Sequence, residues 1–185
     1  GVVGGGTGGC ACGLGKGGGF GDPRGRRPGQ GAGDVRCGRV TPEAARTIYG
    51  VALDASRQAD DAATLACRAE LRAARLANAR PAVRRVPADS RPEGTPRPLY
   101  VGVVQVGRHA VAVDSGAVLA EAPHHWTDGC PVLIEKCGPD AESHAYLDPQ
   151  TGRSLLVDVV PRGKERAISM YPRRWTEGGA TAPAA

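Results

Sequence analysis

Pro81-Ala82-Val83-Arg84-Arg85-Val86-Pro87-Ala88-Asp89-Ser90-Arg91-Pro92-Glu93-Gly94-Thr95-Pro96-Arg97-Pro98 decides the fold, because the chain changes character across it. Each proline fixes its own φ, removes a backbone donor and biases the preceding residue away from helix. The stretch is rich in Arg and poor in apolar residues, so 81–98 reads as a linker. Helical signals lie upstream of it and strand signals downstream.

Upstream, Thr41-Pro42-Glu43 carries a hydroxyl N-cap, a proline at the first helical position and an acid near the positive helix end. That helix is expected to run to about Tyr49 and to stop at Gly50. A longer helix is expected from Asp60 or Asp61 to about Ala79, ended by Pro81. Its Ala62, Leu65, Ala66, Ala69, Ala73 and Leu76 recur at spacings of three and four. They predict one narrow apolar stripe for packing, with Arg68, Arg72 and Arg75 elsewhere on the cylinder.

Downstream the pattern becomes short and β-rich. Strands are expected at 99–106, 109–113, 131–135, 154–160 and 167–171, separated by Gly, Pro and Asp turns. The alternation at 154–160 is imperfect, which predicts a strand buried on both faces. The expected class is therefore α+β: a Gly-rich loop and two helices over 1–80, the linker, a small all-β module over 99–176, and a disordered Gly/Ala/Pro tail over 177–185.

Residues 1–33 hold 16 of the 28 glycines and read as loop, since Gly loses most backbone freedom on ordering. Two Gly-x-Gly-x-x-Gly matches, at Gly4 and Gly13, lack the strand and helix flanks a dinucleotide fingerprint needs. Gly15-Lys16 is not a P-loop, because Cys10 stands where its first Gly belongs and Gly17 where Ser or Thr would bind magnesium. His109, Asp114 and Ser115 form no recognisable triad motif, and Asp60-Asp61 is explained by a helix start. No catalytic or cofactor-binding residue follows from the sequence.

One Phe, two Trp and four Tyr provide little bulky core material, which predicts marginal stability in isolation. The net charge of +5 is uneven: residues 1–98 carry 16 Lys/Arg against 9 Asp/Glu, and residues 99–185 carry 8 against 10. The basic half is scattered arginine without interleaved aromatics, a poor footprint for nucleic acid. No apolar run approaches the roughly 20 residues of a membrane span, and the opening residues do not read as a charged n-region followed by an apolar h-region. A cytoplasmic protein with reduced thiols is expected, with Gly1 either a processed terminus or a fragment edge.

The densest set of metal-ligating residue types is His124, His125, Cys130, Cys137 and His144, within 21 positions. Four of them, His125, Cys130, Cys137 and His144, make a candidate tetrahedral zinc set in a free-standing accessory module. Against it, Val132-Leu133-Ile134 between the cysteines reads as strand rather than as a short knuckle, and buried Cys and His is the simpler account. Cys10-x-Cys12 is too tight for a zinc knuckle and has no second pair close by.

Gly17-Gly18-Gly19-Phe20-Gly21-Asp22-Pro23, then Asp34-Val35-Arg36, then Val40 to Val51 with its Pro-Glu-Ala-Ala-Arg helix and Tyr-Gly-Val, resemble the C-terminal end of the large B-type subunits of the hydantoinase/oxoprolinase family, which includes the acetone and acetophenone carboxylases. Residues 99–171 resemble the small zinc-ribbon-like subunit of acetone carboxylase-type enzymes, chiefly through Tyr146-Leu147-Asp148-Pro149-Gln150-Thr151-Gly152 leading into Leu155 to Val160. Asp148 and Thr151 occupy positions where that pattern has the cysteines of a knuckle, so the module is a degenerate version.

The resemblance implies an ATP-dependent amidohydrolase or ketone carboxylase. ATP would sit on a partner A-type subunit, and the catalytic metal region in the rest of the B-type subunit, upstream of this segment. The chain's implied part is subunit assembly.

Overall fold

In the computed structural model, which describes residues 22–87, 89–166 and 170–172, both signalled helices start where their caps predict. Thr41 Oγ1 accepts the Ala44 amide at 3.1 Å and opens α2 (Pro42–Thr47); Asp60 Oδ1 accepts the Ala63 amide at 2.9 Å and opens α3 (Asp61–Asn78). Gly50, at φ +62°, follows α2 in the left-handed region reserved for such stops.

A further helix, α1 (Pro28–Arg36), occupies part of the stretch expected to be loop. Proline starts it, Ala32 and Val35 are buried, and Arg26 pairs with Asp34 at 2.7 Å. Gly31 is there for proximity: a Cβ would lie 2.9 Å from Val51 Cγ2. The expected loop over residues 1–21 lies outside the described residues, as does the tail at 177–185.

The packed face of α3 is the reverse of the expected one. Ala62, Leu65, Ala66, Ala69 and Ala73 are exposed, with Leu65 at 76%, and of the predicted stripe only Leu76 is half-buried. The inward face carries Thr64, Cys67, Arg68, Leu71, Arg72 and Arg75. An alanine stripe has little area to bury, whereas arginine stems cover apolar surface and their guanidiniums reach backbone carbonyls. Thr64 Oγ1 accepts the Ala52 amide at 3.0 Å, and Arg68 donates to the carbonyls of Tyr49 at 3.2 Å and Arg26 at 2.6 Å.

The β residues form two antiparallel meanders. The first contains β1 (Arg97–Tyr100), β2 (Val103–Val106), β3 (His109–Ala112) and β4 (Val118–Glu121), in chain order. The single strand expected over 99–106 is thus a hairpin, turning at Gly102 with φ +77°. The second sheet contains β5 (Val132–Lys136), β6 (Ala141–Leu147) and β7 (Ser154–Pro161). Of the strand expected at 167–171, residues 167–169 lie outside the described residues and Met170 and Tyr171 are not in a strand.

Both sheets contribute to one core of Val103, Ala110, Ala112, Leu119, Tyr146, Leu155 and Leu156 around Trp126, whose ring stacks on Tyr100 at 5.6 Å. Trp126 lies on a 3₁₀ turn, Trp126–Gly129, that packs on β4. Gly129 makes this possible: a Cβ there would overlap the Leu119 carbonyl oxygen. Both faces of β7 are buried at Ser154, Leu155 and Leu156, as expected, but from Leu156 onward the strand alternates, with Asp158 and Val160 buried and Val157 and Val159 exposed. The fold class is α+β.

The described residues of the 81–96 stretch form no helix or strand and lie along the β unit. Arg80 bridges to Val132, and the Arg84 amide donates to Asp128 O at 2.9 Å. The helical segment reaches the β unit through Asp22, which accepts the Ser154 amide at 3.3 Å, and through Gly152, where a Cβ would lie 2.5 Å from the Arg72 carbonyl oxygen. No helix among the described residues is long and apolar enough to cross a membrane.

Candidate functional site

Successive strand side chains point to opposite faces, so Glu142, His144 and Tyr146 share one face of β6. They line a cleft of about 340 Å³, closed by Arg80, Asp128 and Arg166 among others. His144 Nδ1 donates to the Glu165 carbonyl at 3.1 Å, and Nε2 lies 3.4 Å from Glu142 Oε2. The Tyr146 hydroxyl donates to the same Glu165 carbonyl at 3.2 Å, and Arg166 pairs with Asp128 at 2.8 Å. Burial pushes the Tyr146 phenol above its ordinary range, with Arg166 opposing. These bonds hold Glu165 against β6 and Arg166 against the turn at Asp128.

The four candidate zinc ligands lie in different surroundings. His125 is buried beside Trp126; the Met170 amide donates to its Nε2 and the Thr127 amide to its Nδ1 at 3.2 Å, with Thr127 Oγ1 2.7 Å from the same nitrogen, so both ring nitrogens have protein partners. Cys130 is in the core, its thiol directed at the Trp126 carbonyl. Burial, then Asp148 and Asp128, push that thiol far above its ordinary range, which disfavours the thiolate zinc takes. Cys137 follows β5, where its amide donates to Ala141 O at 2.9 Å across the turn. Only His144 of the four lines the cleft. Among the described residues no group of three or more His, Cys, Asp or Glu converges into a set that could hold a metal ion.

Asp148, where the resemblance has a knuckle cysteine, is fully buried and closes its turn by hydrogen bonds. Its Oδ1 accepts the amides of Gln150 at 2.8 Å and Thr151 at 3.1 Å, and its carbonyl accepts from Gly152 at 2.9 Å. A carboxylate thus supports the turn locally, as side-chain-capped turns do.

A second polar constellation, missed from the sequence, surrounds Asp22 of the Gly-Asp-Pro turn. Asp22 is buried; Oδ1 accepts the Arg24 amide at 3.0 Å, while Oδ2 accepts Arg75 Nη1 at 3.0 Å and the Ser154 amide at 3.3 Å. Arg72 Nε stands 3.9 Å from the same oxygen. The spacing of Arg68, Arg72 and Arg75 by four and three residues signals one helix face, but it does not reveal that this face is the packed one.

No family model matches the sequence, no curated protein matches it, and no solved structure matches the fold.

Proposed function

We propose that this chain is an assembly piece: the C-terminal portion of a B-type subunit of an ATP-dependent hydantoinase/oxoprolinase-type amidohydrolase or ketone carboxylase, joined to a degenerate zinc-ribbon-like β module. Its part is docking of subunits rather than the chemical step. ATP belongs to the A-type partner, and the catalytic region to the rest of the B-type subunit.

The observation that supports an assembly role is the outward stripe of α3. Leu65 and the exposed alanines Ala62, Ala66, Ala69 and Ala73 form the apolar face of an amphipathic helix, yet they face solvent. Amphipathic helices lay such a face into a partner's groove, and small residues allow close approach. The family reading itself rests on the ordered motifs from Gly17 to Leu76. Asp22, within those motifs, bonds to the first residue of β7, as expected if the two resembling parts form one unit.

Co-expression with an A-type subunit followed by size exclusion tests this reading. Co-elution is expected, with loss on Leu65→Lys; separate elution of folded proteins overturns it.

A further inference from the structure

Six buried side-chain polar atoms lack a hydrogen-bond partner among the described residues, and four of them lie in residues that contact Asp22: Arg24 Nε and Nη1, Arg72 Nε and Ser154 Oγ. All four can donate. Arg24 and Ser154 are more than nine-tenths buried, at 8% and 5% exposure. Buried donors without acceptors are costly, and buried guanidiniums without counter-charge more so.

Asp22 cannot meet this demand alone. Arg24, Arg72 and Arg75 carry three positive charges against its one, a surplus of two. Both Asp22 oxygens already accept bonds. Arg68 beside them has its donors on two backbone carbonyls, which satisfy its hydrogen bonds but leave its charge to add to the surplus. Residues 1–21 contain no Asp or Glu, and residues 167–185 contain only Glu177. Burial, then Arg75, hold the Arg24 guanidinium down at about 10, the direction expected for a cation whose counter-charge falls short.

The geometry points to an oxyanion site at this junction of α3 and β7, taking a phosphate-type dianion on the guanidiniums of Arg24, Arg72 and Arg75 and the hydroxyl of Ser154. A surplus of at least two charges matches a dianion better than a single carboxylate, and guanidinium forks fit tetrahedral oxyanions bidentately. The anion enters where Arg72 and Arg75 meet solvent, at side-chain exposures of 28% and 17%. Because Asp22 and Ser154 come from opposite ends of the described chain, the bound anion also fastens the helical segment to the β unit.

Thermal unfolding of the full chain in millimolar sodium phosphate, against sodium chloride at matched ionic strength, tests the site. The midpoint is expected to rise by about 5 °C in phosphate, with a one-to-one isotherm by calorimetry. Arg24→Met and Arg72→Gln should abolish the rise; if Arg24→Met does not fold, Arg72→Gln decides by itself, its fold checked by circular dichroism. An equal midpoint in both salts, or a rise that persists in folded Arg72→Gln, overturns the proposal. Glycerol phosphate as a parallel ligand separates two sources of the same chemistry. A rise equal to that with phosphate assigns the site to a phosphoryl group on a larger molecule; a rise with inorganic phosphate alone assigns it to the free ion.

Discussion

In the β unit the fully buried side chains include Trp126, Leu119 and Leu147, drawn from both sheets and the turn between them. In the helical segment the buried apolar cluster comprises Val35, Ala45 and Val51, and the packed face of α3 is largely arginine and threonine. One region excludes water with hydrocarbon. The other holds its loops by donating guanidinium and hydroxyl hydrogens to backbone carbonyls and to one carboxylate. Where a sequence supplies alanine in place of leucine, directional bonds take over the fixing of chain segments, and single charged residues acquire the importance that aromatic ones have elsewhere.

The largest effect should come from the hydrocarbon side. Trp126→Ala removes a buried ring stacked on Tyr100 and should cost about 4 kcal/mol in urea unfolding of the full chain. Asp22→Ala is the matching cut on the polar side: it strands buried guanidiniums and should cost about 3 kcal/mol. Hydrogen exchange sharpens the contrast, because α1 and α3 amides should be deprotected while β2, β3 and β6 keep their protection. Equal deprotection of both regions would break the comparison.

Legibility followed the same division. The caps Thr41 and Asp60 and the turn glycines act locally, so the starts of α2 and α3 and the strands β3, β5 and β7 could be read directly, whereas β1 and β2 read as one strand and β4 was not read. α1 was hidden because Gly29, Gly31 and Gly33 argue for loop, and what makes Gly31 useful is Val51, twenty residues away. β6 was hidden because Glu142, Ser143 and His144 dilute its apolar signal, although its alternate residues line one cleft. The site was least legible. Asp22 and Ser154 are 132 residues apart, and nothing local distinguishes an inward arginine face from a solvated one.

Smaller perturbations refine the picture. Tyr146→Phe removes one bond to the Glu165 carbonyl and should cost about 1 kcal/mol. It should also change the alkaline limb. The folded phenol titrates above its ordinary value of 10.0, so on raising the pH through 10 the unfolded chain releases its proton first. Wild-type stability should therefore fall there, and the fall should be shallower in the variant by unfolding midpoints at several pH values. Smallest of all, Leu65→Lys should change stability by no more than about 0.5 kcal/mol while abolishing co-elution with an A-type partner. That would separate the surface that docks from the surfaces that fold.

Gly129 has a consequence for how this chain can vary. Its φ is not in the left-handed region, so any side chain satisfies its torsions; what excludes the other nineteen is the Leu119 carbonyl oxygen occupying the place of a Cβ. In a library of all single substitutions scored for folded protein, position 129 should therefore return one letter. The exposed alanines of α3 should tolerate nearly every residue except proline, and that tolerance should narrow only when selection is for a bound partner.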